Sequence, residues 1–181
     1  MCYIKLNLRH LVLILLKFES GDITLGTKIM EVTVFNIVNT LQQFHSDLAD
    51  YYFAQKELTH DTRVRSLLDY LGRSERYLEN YIDRNRLLLS KETLKSTISI
   101  PSEGNDSRAF NLSDIVLSGN LVQYDKALSF AIRMDSMLAN YCKLIKENAR
   151  DHSLMQVFKN LCKVTNREKS NLFSYNNMFA D

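Results

Sequence analysis

The sequence is poor in the residues that mark common catalytic motifs. Its five glycines are too widely spaced to form a phosphate-binding loop, and it has no nucleophile elbow of the Gly-x-Ser-x-Gly type. The three cysteines, Cys2, Cys142 and Cys162, are odd in number and form no Cys-x-x-Cys pair, which argues against a disulfide framework and against a zinc knuckle. We therefore expect free thiols that pack as small apolar residues, and a reducing, cytoplasmic location.

Long runs of charge and of hydrophobic residues are also lacking. The 23 basic and 21 acidic residues are interleaved, with no basic run longer than a dipeptide, so we expect no nucleic-acid partner. The apolar run from Leu11 to Leu16 is too short to cross a bilayer, and no small-residue cleavage site follows it, so we expect no membrane anchor. A composition of 45% hydrophobic and 24% charged residues is typical of one soluble domain.

The N-terminal segment, residues 1–29, does not share the pattern of the rest of the chain. The helical pattern starts at Thr33, directly after Met30. We therefore interpret residues 1–29 as an N-terminal extension, with Met30 a candidate for the native start, and residues 30–181 as one helical domain. The intact mass of the native protein tests this interpretation.

Four segments carry apolar residues at alternating steps of four and three, the spacing of helices with one buried face. Asp61 or Thr59 is placed to cap the second helix. Residues 86–120 join the second and third helices; they contain the only proline, and we predict an extended piece at Thr97 to Ile100 and a short helix from Ser113 to Gly119. The pattern predicts an all-α fold: an antiparallel four-helix bundle of two helical hairpins joined by this long crossover.

The two predicted hairpins resemble each other in sequence. At a constant offset of 90, residues 45–78 and 135–168 are identical at 8 of 34 positions, where composition alone gives roughly two. The identical pairs include Leu48 with Leu138 and Asp61 with Asp151. We therefore expect an internal repeat of one helical hairpin.

Polar residues interrupt the apolar stripe of every helix. Where the pattern calls for a core residue, the sequence has His45, Glu75, Asp135, and Thr165 with Glu168. The first four lie 15 residues from their nearest hairpin turn, taken at residues 60 and 150, which corresponds to roughly 22 Å along a helix. We therefore expect polar groups from four helices to meet in one layer of the core.

Carboxylates in an apolar core need a compensating partner. One interpretation is a hydrogen-bonded network with His45 protonated between Asp135 and Glu75, and water in the gaps. Another is a single bound Fe, Mn or Zn ion, with metal ligands His45, Glu75, Asp135 and Glu168. A third is a different helix register, which would place some of these residues on the surface.

The pattern of residues 32–179 resembles the ferritin-like superfamily, nearest to rubrerythrin-type domains. The resemblance implies a di-metal site with a Glu from the first and third helices and a Glu-x-x-His from the second and fourth. Those positions here are His45, Asp135, the run Glu75-Arg76-Tyr77-Leu78 and the run Thr165-Asn166-Arg167-Glu168. Only Glu75 matches the family residue, so the ligand motifs are degenerate and a di-iron centre is not expected.

Two functions follow as expectations. The first is a non-catalytic ferritin-like bundle, an accessory or interaction protein with no catalytic residues and no cofactor, whose polar layer is structural. The second is a metal-dependent oxidoreductase or metal-handling protein with the single-ion site. A homodimer is a further expectation, and the protein partner is not specified by the sequence.

Overall fold

The computed structural model describes residues 29–101 and 121–178. The described chain is mostly helical, as the sequence predicts. Four long helices make up most of the described chain. One short strand precedes the first long helix, and a short helix and a second strand follow the second long helix. In chain order the elements are β1 (Ile29–Thr33), α1 (Val34–Lys56), α2 (Thr62–Arg86), α3 (Lys91–Lys95), β2 (Thr97–Pro101), α4 (Tyr124–Asn148) and α5 (His152–Met178).

Polar side chains fix where three of the long helices begin. The Thr33 side chain accepts a hydrogen bond from the Asn36 amide at the start of α1. Asp61 accepts from two amides at the start of α2, and Asp151 Oδ1 accepts from the Leu154 amide near the start of α5. Such caps each contribute about 1 kcal/mol because they satisfy amides that no helical carbonyl can reach. Of the two residues predicted to cap α2, the structure uses Asp61.

The long helices pack as two helical hairpins that share one hydrophobic core. Helix α1 packs against α2 and helix α4 against α5, each pair being joined by a short turn. Helix α2 contacts both α4 and α5, and the Phe130 ring of α4 lies 5.6 Å from the Tyr51 ring and 5.9 Å from the Tyr52 ring of α1. Helices α1 and α4 start 90 residues apart, as do α2 and α5. This spacing equals the offset of the sequence repeat. The internal repeat itself stays a prediction.

A small antiparallel sheet joins the start of α1 to the crossover. Strand β1 pairs with β2 from Ile29 opposite Pro101 to Thr33 opposite Thr97. Strand β2 matches the predicted extended piece, whereas β1 and α3 were not predicted, because five-residue elements are too short to show a clear period. The predicted domain boundary after residue 29 falls within β1. The predicted helix between Ser113 and Gly119 lies outside the described residues, as does almost all of the predicted N-terminal extension.

Gly72 lies where α1 and α2 approach closely. A Cβ atom at this position would lie 2.7 Å from Cε1 of the Phe53 ring, closer than atoms pack. The Phe53 ring of α1 thus occupies the space that a side chain at this position would need, which explains a glycine in the interior of α2. No helix in the described ranges is both long and apolar enough to cross a membrane.

Candidate functional site

Each long helix places at least one polar residue in the core. His45 of α1, Glu75 of α2, Asp135 of α4 and Thr165 of α5 are all buried, none with more than 5% of its surface exposed. The residue four positions before each of them is a buried apolar residue (Leu41, Leu71, Ala131 and Leu161), so the stripe that predicted their orientation is correct at all four positions. The interpretation that a different register places them on the surface is therefore wrong for these four residues.

His45 and Glu75 form the centre of the layer. The Nδ1 atom of His45 lies 2.5 Å from Oε2 of Glu75, and both side chains are shielded from water. This distance is that of a hydrogen bond between the imidazole and the carboxyl group. The Phe44 ring packs edge-on against the imidazole, with 5.8 Å between ring centroids. This bond joins α1 to α2 in the interior of the first hairpin.

Tyr52 lies beside the same carboxylate. Its pKa is raised well above its usual value, first because the phenol is fully buried and then because the Glu75 and Asp135 carboxylates oppose a further negative charge. Both carboxylates therefore lie near one phenol, as expected for a common layer. Within the described residues, the Tyr52 hydroxyl has no hydrogen-bond partner, and the same holds for the Thr165 hydroxyl.

Glu168 belongs to a neighbouring cluster between α2 and α5. Predicted to face the core, it is half-buried instead. Its Oε2 atom accepts hydrogen bonds from the Tyr70 and Ser74 hydroxyls, each at 2.9 Å. Burial, followed by this bond to Glu168, raises the pKa of Tyr70 to about 12, and the Asp135 carboxylate adds a smaller contribution. Asp135 thus lies near both Tyr52 and Tyr70 and connects the two clusters electrostatically.

Sequence reasoning missed the three hydroxyl groups of this region. Tyr52 falls on the apolar stripe of α1, and nothing in the sequence sets Tyr70 apart from the other tyrosines of the first hairpin. Ser74 carries no pattern of its own. The one signal available was proximity: Ser74 directly precedes Glu75, and Tyr70 lies just over one turn before it.

The donor set does not fit a di-metal centre. Leu78, which stands where the family has a motif histidine, is a buried apolar residue, and Thr165 replaces a carboxylate. Among the described residues, no three His, Cys, Asp or Glu side chains are grouped so that they could hold a metal ion. Nδ1 of His45 is engaged by Glu75, and Oε2 of Glu168 by two hydroxyls. The single-ion site of His45, Glu75, Asp135 and Glu168 stays a prediction.

Comparisons with known proteins found no family model, no curated protein and no solved structure that matches this chain. The resemblance to ferritin-like domains accordingly depends on the residues and helix order described above.

Proposed function

We propose that the protein is a non-catalytic helical bundle of the ferritin-like type, that it acts as an accessory or interaction protein, and that its buried polar layer is structural. The observation that carries the proposal is the buried hydrogen bond of 2.5 Å between His45 and Glu75. His45 Nδ1 or Glu75 Oε2 could ligate a metal ion only after this hydrogen bond had broken.

The connectivity supports the bundle arrangement. Two helical hairpins with short turns are joined by the long segment between Arg86 and Tyr124, as in ferritin-like bundles with one crossover. The hairpins share one hydrophobic core. Within that core, a buried polar pair penalises any register that separates its members, because each would then be left unpaired in an apolar environment. The His45–Glu75 bond would thus fix how α1 and α2 align.

Metal analysis tests the structural interpretation of the layer. Protein purified without chelator is expected to hold far less than one Fe, Mn or Zn ion per chain, and its melting temperature is expected not to change with EDTA or with added ion. His45→Ala should lower the melting temperature without changing metal content, whereas His60→Ala, at an exposed position near the first turn, should change neither. Near-stoichiometric metal that is lost in His45→Ala would contradict the proposal.

One observation favours a second candidate, a metal-handling protein or metal-dependent oxidoreductase. The buried Tyr52 and Thr165 hydroxyls have no partner among the described groups, and such groups are usually satisfied by water or a ligand. An ion among His45, Glu75, Asp135 and Glu168 would require the His45–Glu75 bond to open. Stabilisation that increases with ion concentration, and that His45→Ala abolishes, would support this candidate over the first.

The remaining parts of the proposal concern the molecule as a whole. We place the protein in the cytoplasm because its cysteines indicate a reducing compartment. A homodimer stays a prediction, and light scattering on the full chain measures it directly: a mass of one chain of 21.1 kDa would contradict it.

A further inference from the structure

The ion pairs of the structure are divided unevenly between the two hairpins. Residues 34–86 of the first hairpin contain seven Lys and Arg and eight Asp and Glu, and five of the seven cations lie in an ion pair. Residues 124–178 of the second hairpin contain nine Lys and Arg and only five Asp and Glu. The described residues of this hairpin form a single ion pair, between Lys143 and Glu147 at 3.9 Å. The second hairpin therefore carries cations that no described acidic group neutralises.

Three of the five acidic side chains of the second hairpin are occupied inside the fold. Asp135 is buried, Asp151 caps the start of α5, and Glu168 accepts hydrogen bonds from two hydroxyls of α2. Asp125 and Glu147 are the two that are exposed. The outer surface of the hairpin is therefore left with few carboxylates, although basic and acidic residues are interleaved along the sequence as a whole.

Helix α5 has the most one-sided charge of the long helices. Glu168 is the only acidic residue among its 27, against four Lys and Arg. Lys159, Lys163 and Arg167 are all exposed and follow each other at steps of four. Residues four apart lie on one side of a helix, about 6 Å from each other along its axis. The three cations therefore form a row on the solvent side of α5.

The end of helix α4 extends this row. Lys143 is exposed and Lys146 is half-buried. Since α4 and α5 pack against each other and are joined by a short turn, residues at equal distances from the turn lie side by side. Lys143 and Lys159 lie seven and nine residues from Arg150 in this turn, which corresponds to roughly 10 and 14 Å along the two helices. The residues that we call the cationic face are Lys143, Lys146, Lys159, Lys163 and Arg167.

The cationic face has no exposed large apolar or aromatic side chain. In the described ranges, the exposed large hydrophobic residues all lie between residues 35 and 88. Single-stranded nucleic acids are typically held by aromatic side chains on which their bases stack, and amphipathic helices bind membranes through an apolar side. The chemistry of the cationic face therefore favours an acidic protein over these two ligands.

We propose that the cationic face binds an acidic helix of a partner protein. This inference deepens the interaction role proposed above and rests on it. Carboxylates four residues apart on a partner helix have the same spacing as the row on α5, so a helix laid along α5 places one carboxylate opposite each cation. Because one exposed ion pair contributes little by itself, binding depends on several such pairs forming together.

Titration with a synthetic peptide tests the proposal. The probe is an alanine-rich peptide of about 20 residues, long enough to be helical in water, with Glu at every fourth position; its control has Gln in place of Glu. In calorimetry with the full chain, the Glu peptide is expected to bind and the Gln peptide is not, and the affinity should fall as salt increases. No binding of the Glu peptide at low salt, or equal binding of the Gln peptide, would overturn the proposal.

Two double variants locate the binding surface. Lys159→Gln/Lys163→Gln removes two cations of the row and should weaken binding of the Glu peptide about fivefold or more. Arg73→Gln/Arg84→Gln removes two exposed cations of α2, changes the net charge by the same amount, and should keep the affinity within about twofold of the parent. An equal loss of affinity in both variants would overturn the assignment to the cationic face. Far-UV circular dichroism controls for folding.

Other anionic ligands test the choice of partner. Single- and double-stranded DNA oligonucleotides and vesicles that contain phosphatidylserine are titrated at the same ionic strength as the Glu peptide. Each is expected to bind more weakly than the peptide. Tighter binding of DNA or of vesicles, lost in Lys159→Gln/Lys163→Gln, would overturn the proposal of a protein partner.

The metal content of the same samples separates failure of this inference from failure of the proposed function. Metal-free protein that does not bind the Glu peptide would overturn the inference about the cationic face and leave the structural interpretation of the polar layer intact. Protein that holds near-stoichiometric metal and binds the peptide through the cationic face would support the binding surface and contradict the non-catalytic role.

Discussion

At the scale of single residues, the buried bond between His45 and Glu75 joins two helices inside the core. Both side chains are buried, and each would lose its hydrogen-bond partner in the core if the other were removed. Helix propensity and the apolar stripe would both have favoured leucine at these positions. On the structural role proposed above, the polar pair would favour one alignment of α1 and α2 that an apolar pair would not enforce.

The first prediction concerns Glu75. Glu75→Ala should lower the free energy of unfolding by about 3–5 kcal/mol, because it leaves the His45 N–H buried without an acceptor. Glu75→Gln keeps an acceptor and should cost about 1 kcal/mol. Urea unfolding followed by circular dichroism measures both. Glu79→Ala, which removes a surface partner of Arg76, is the matched control, expected within about 1 kcal/mol of the parent; the prediction fails if Glu75→Ala costs no more than this control.

The second prediction concerns the pH dependence of Cys162. Since its pKa is lowered to about 7, against about 8.5 for an ordinary cysteine, its thiolate forms as pH rises through 7. In a Cys2→Ser background, the rate of alkylation by iodoacetamide should therefore increase to a plateau with a midpoint near pH 7.

The causes of this shift define the control. Cys142 and Lys146 favour the Cys162 thiolate, and Glu147 opposes it. Lys146→Gln should move the midpoint to higher pH, and Glu147→Gln should move it to lower pH. A midpoint at the ordinary value for cysteine, unaffected by either substitution, would show that the helix α4 groups do not act on this thiol.

At the scale of elements, the first hairpin depends on how closely its helices approach. Gly72 of α2 leaves room for the Phe53 ring of α1, with the nearest ring carbon 2.7 Å from where a Cβ would lie. In a helix interior, alanine is favoured over glycine by about 1 kcal/mol. The loss of that propensity is therefore offset by the packing of the ring.

The third prediction separates these two effects. Gly72→Ala in the parent should destabilise the protein by about 1 kcal/mol, because overpacking against Phe53 outweighs the gain in helix propensity. In a Phe53→Ala background, the same substitution should stabilise by up to about 1 kcal/mol. Chemical denaturation of the parent, the two single variants and the double variant measures these free energies. An identical effect of Gly72→Ala in both backgrounds would contradict the role given to Phe53.

The helix starts show how far local signals determine an element. Asp61 and Asp151 lie 90 residues apart and serve the same purpose, each bonding amides in the first turn of the following helix. The sequence identified Asp61 as a candidate cap because the side chain, the break in the stripe and the helix start occur within a few residues of each other. Strand β1 offers no such local signal, since its partner β2 lies nearly 70 residues further along the chain.

At the scale of the whole molecule, the two hairpins depend on each other. Their apolar faces form one continuous core, and Phe130 of α4 packs on Tyr51 and Tyr52 of α1. The amide of Leu121 donates to the buried Oε1 atom of Gln55 at 2.9 Å, which joins the end of the crossover to α1. Separating the hairpins would expose both faces to water.

The fourth prediction follows from this shared core. Fragments 29–101 and 121–178, prepared separately, should each give a broad, non-cooperative thermal transition by circular dichroism, whereas the full chain should give one sharp transition. The physical reason is that a hairpin alone buries too little apolar surface to offset its conformational entropy. A fragment that melts cooperatively at the temperature of the full chain would show that the hairpins are independent units.

The sequence by itself determined the helical class and four of the five polar residues that were predicted to face the core. Helix periodicity acts within one segment, so the burial of His45, Glu75, Asp135 and Thr165 could be predicted from the spacing of their apolar neighbours alone. The cap at Asp61 was predictable for the same reason, because it depends on chemistry within one turn of the chain, whereas the contact of Gly72 with Phe53 joins two helices.

Only the tertiary structure decided which of these groups meet. Glu75 bonds His45, and Glu168 bonds Tyr70 and Ser74. Such partners depend on how each helix is rotated and shifted along its neighbour. That alignment is the outcome of packing over the whole core, and the period of a single helix carries no information about it.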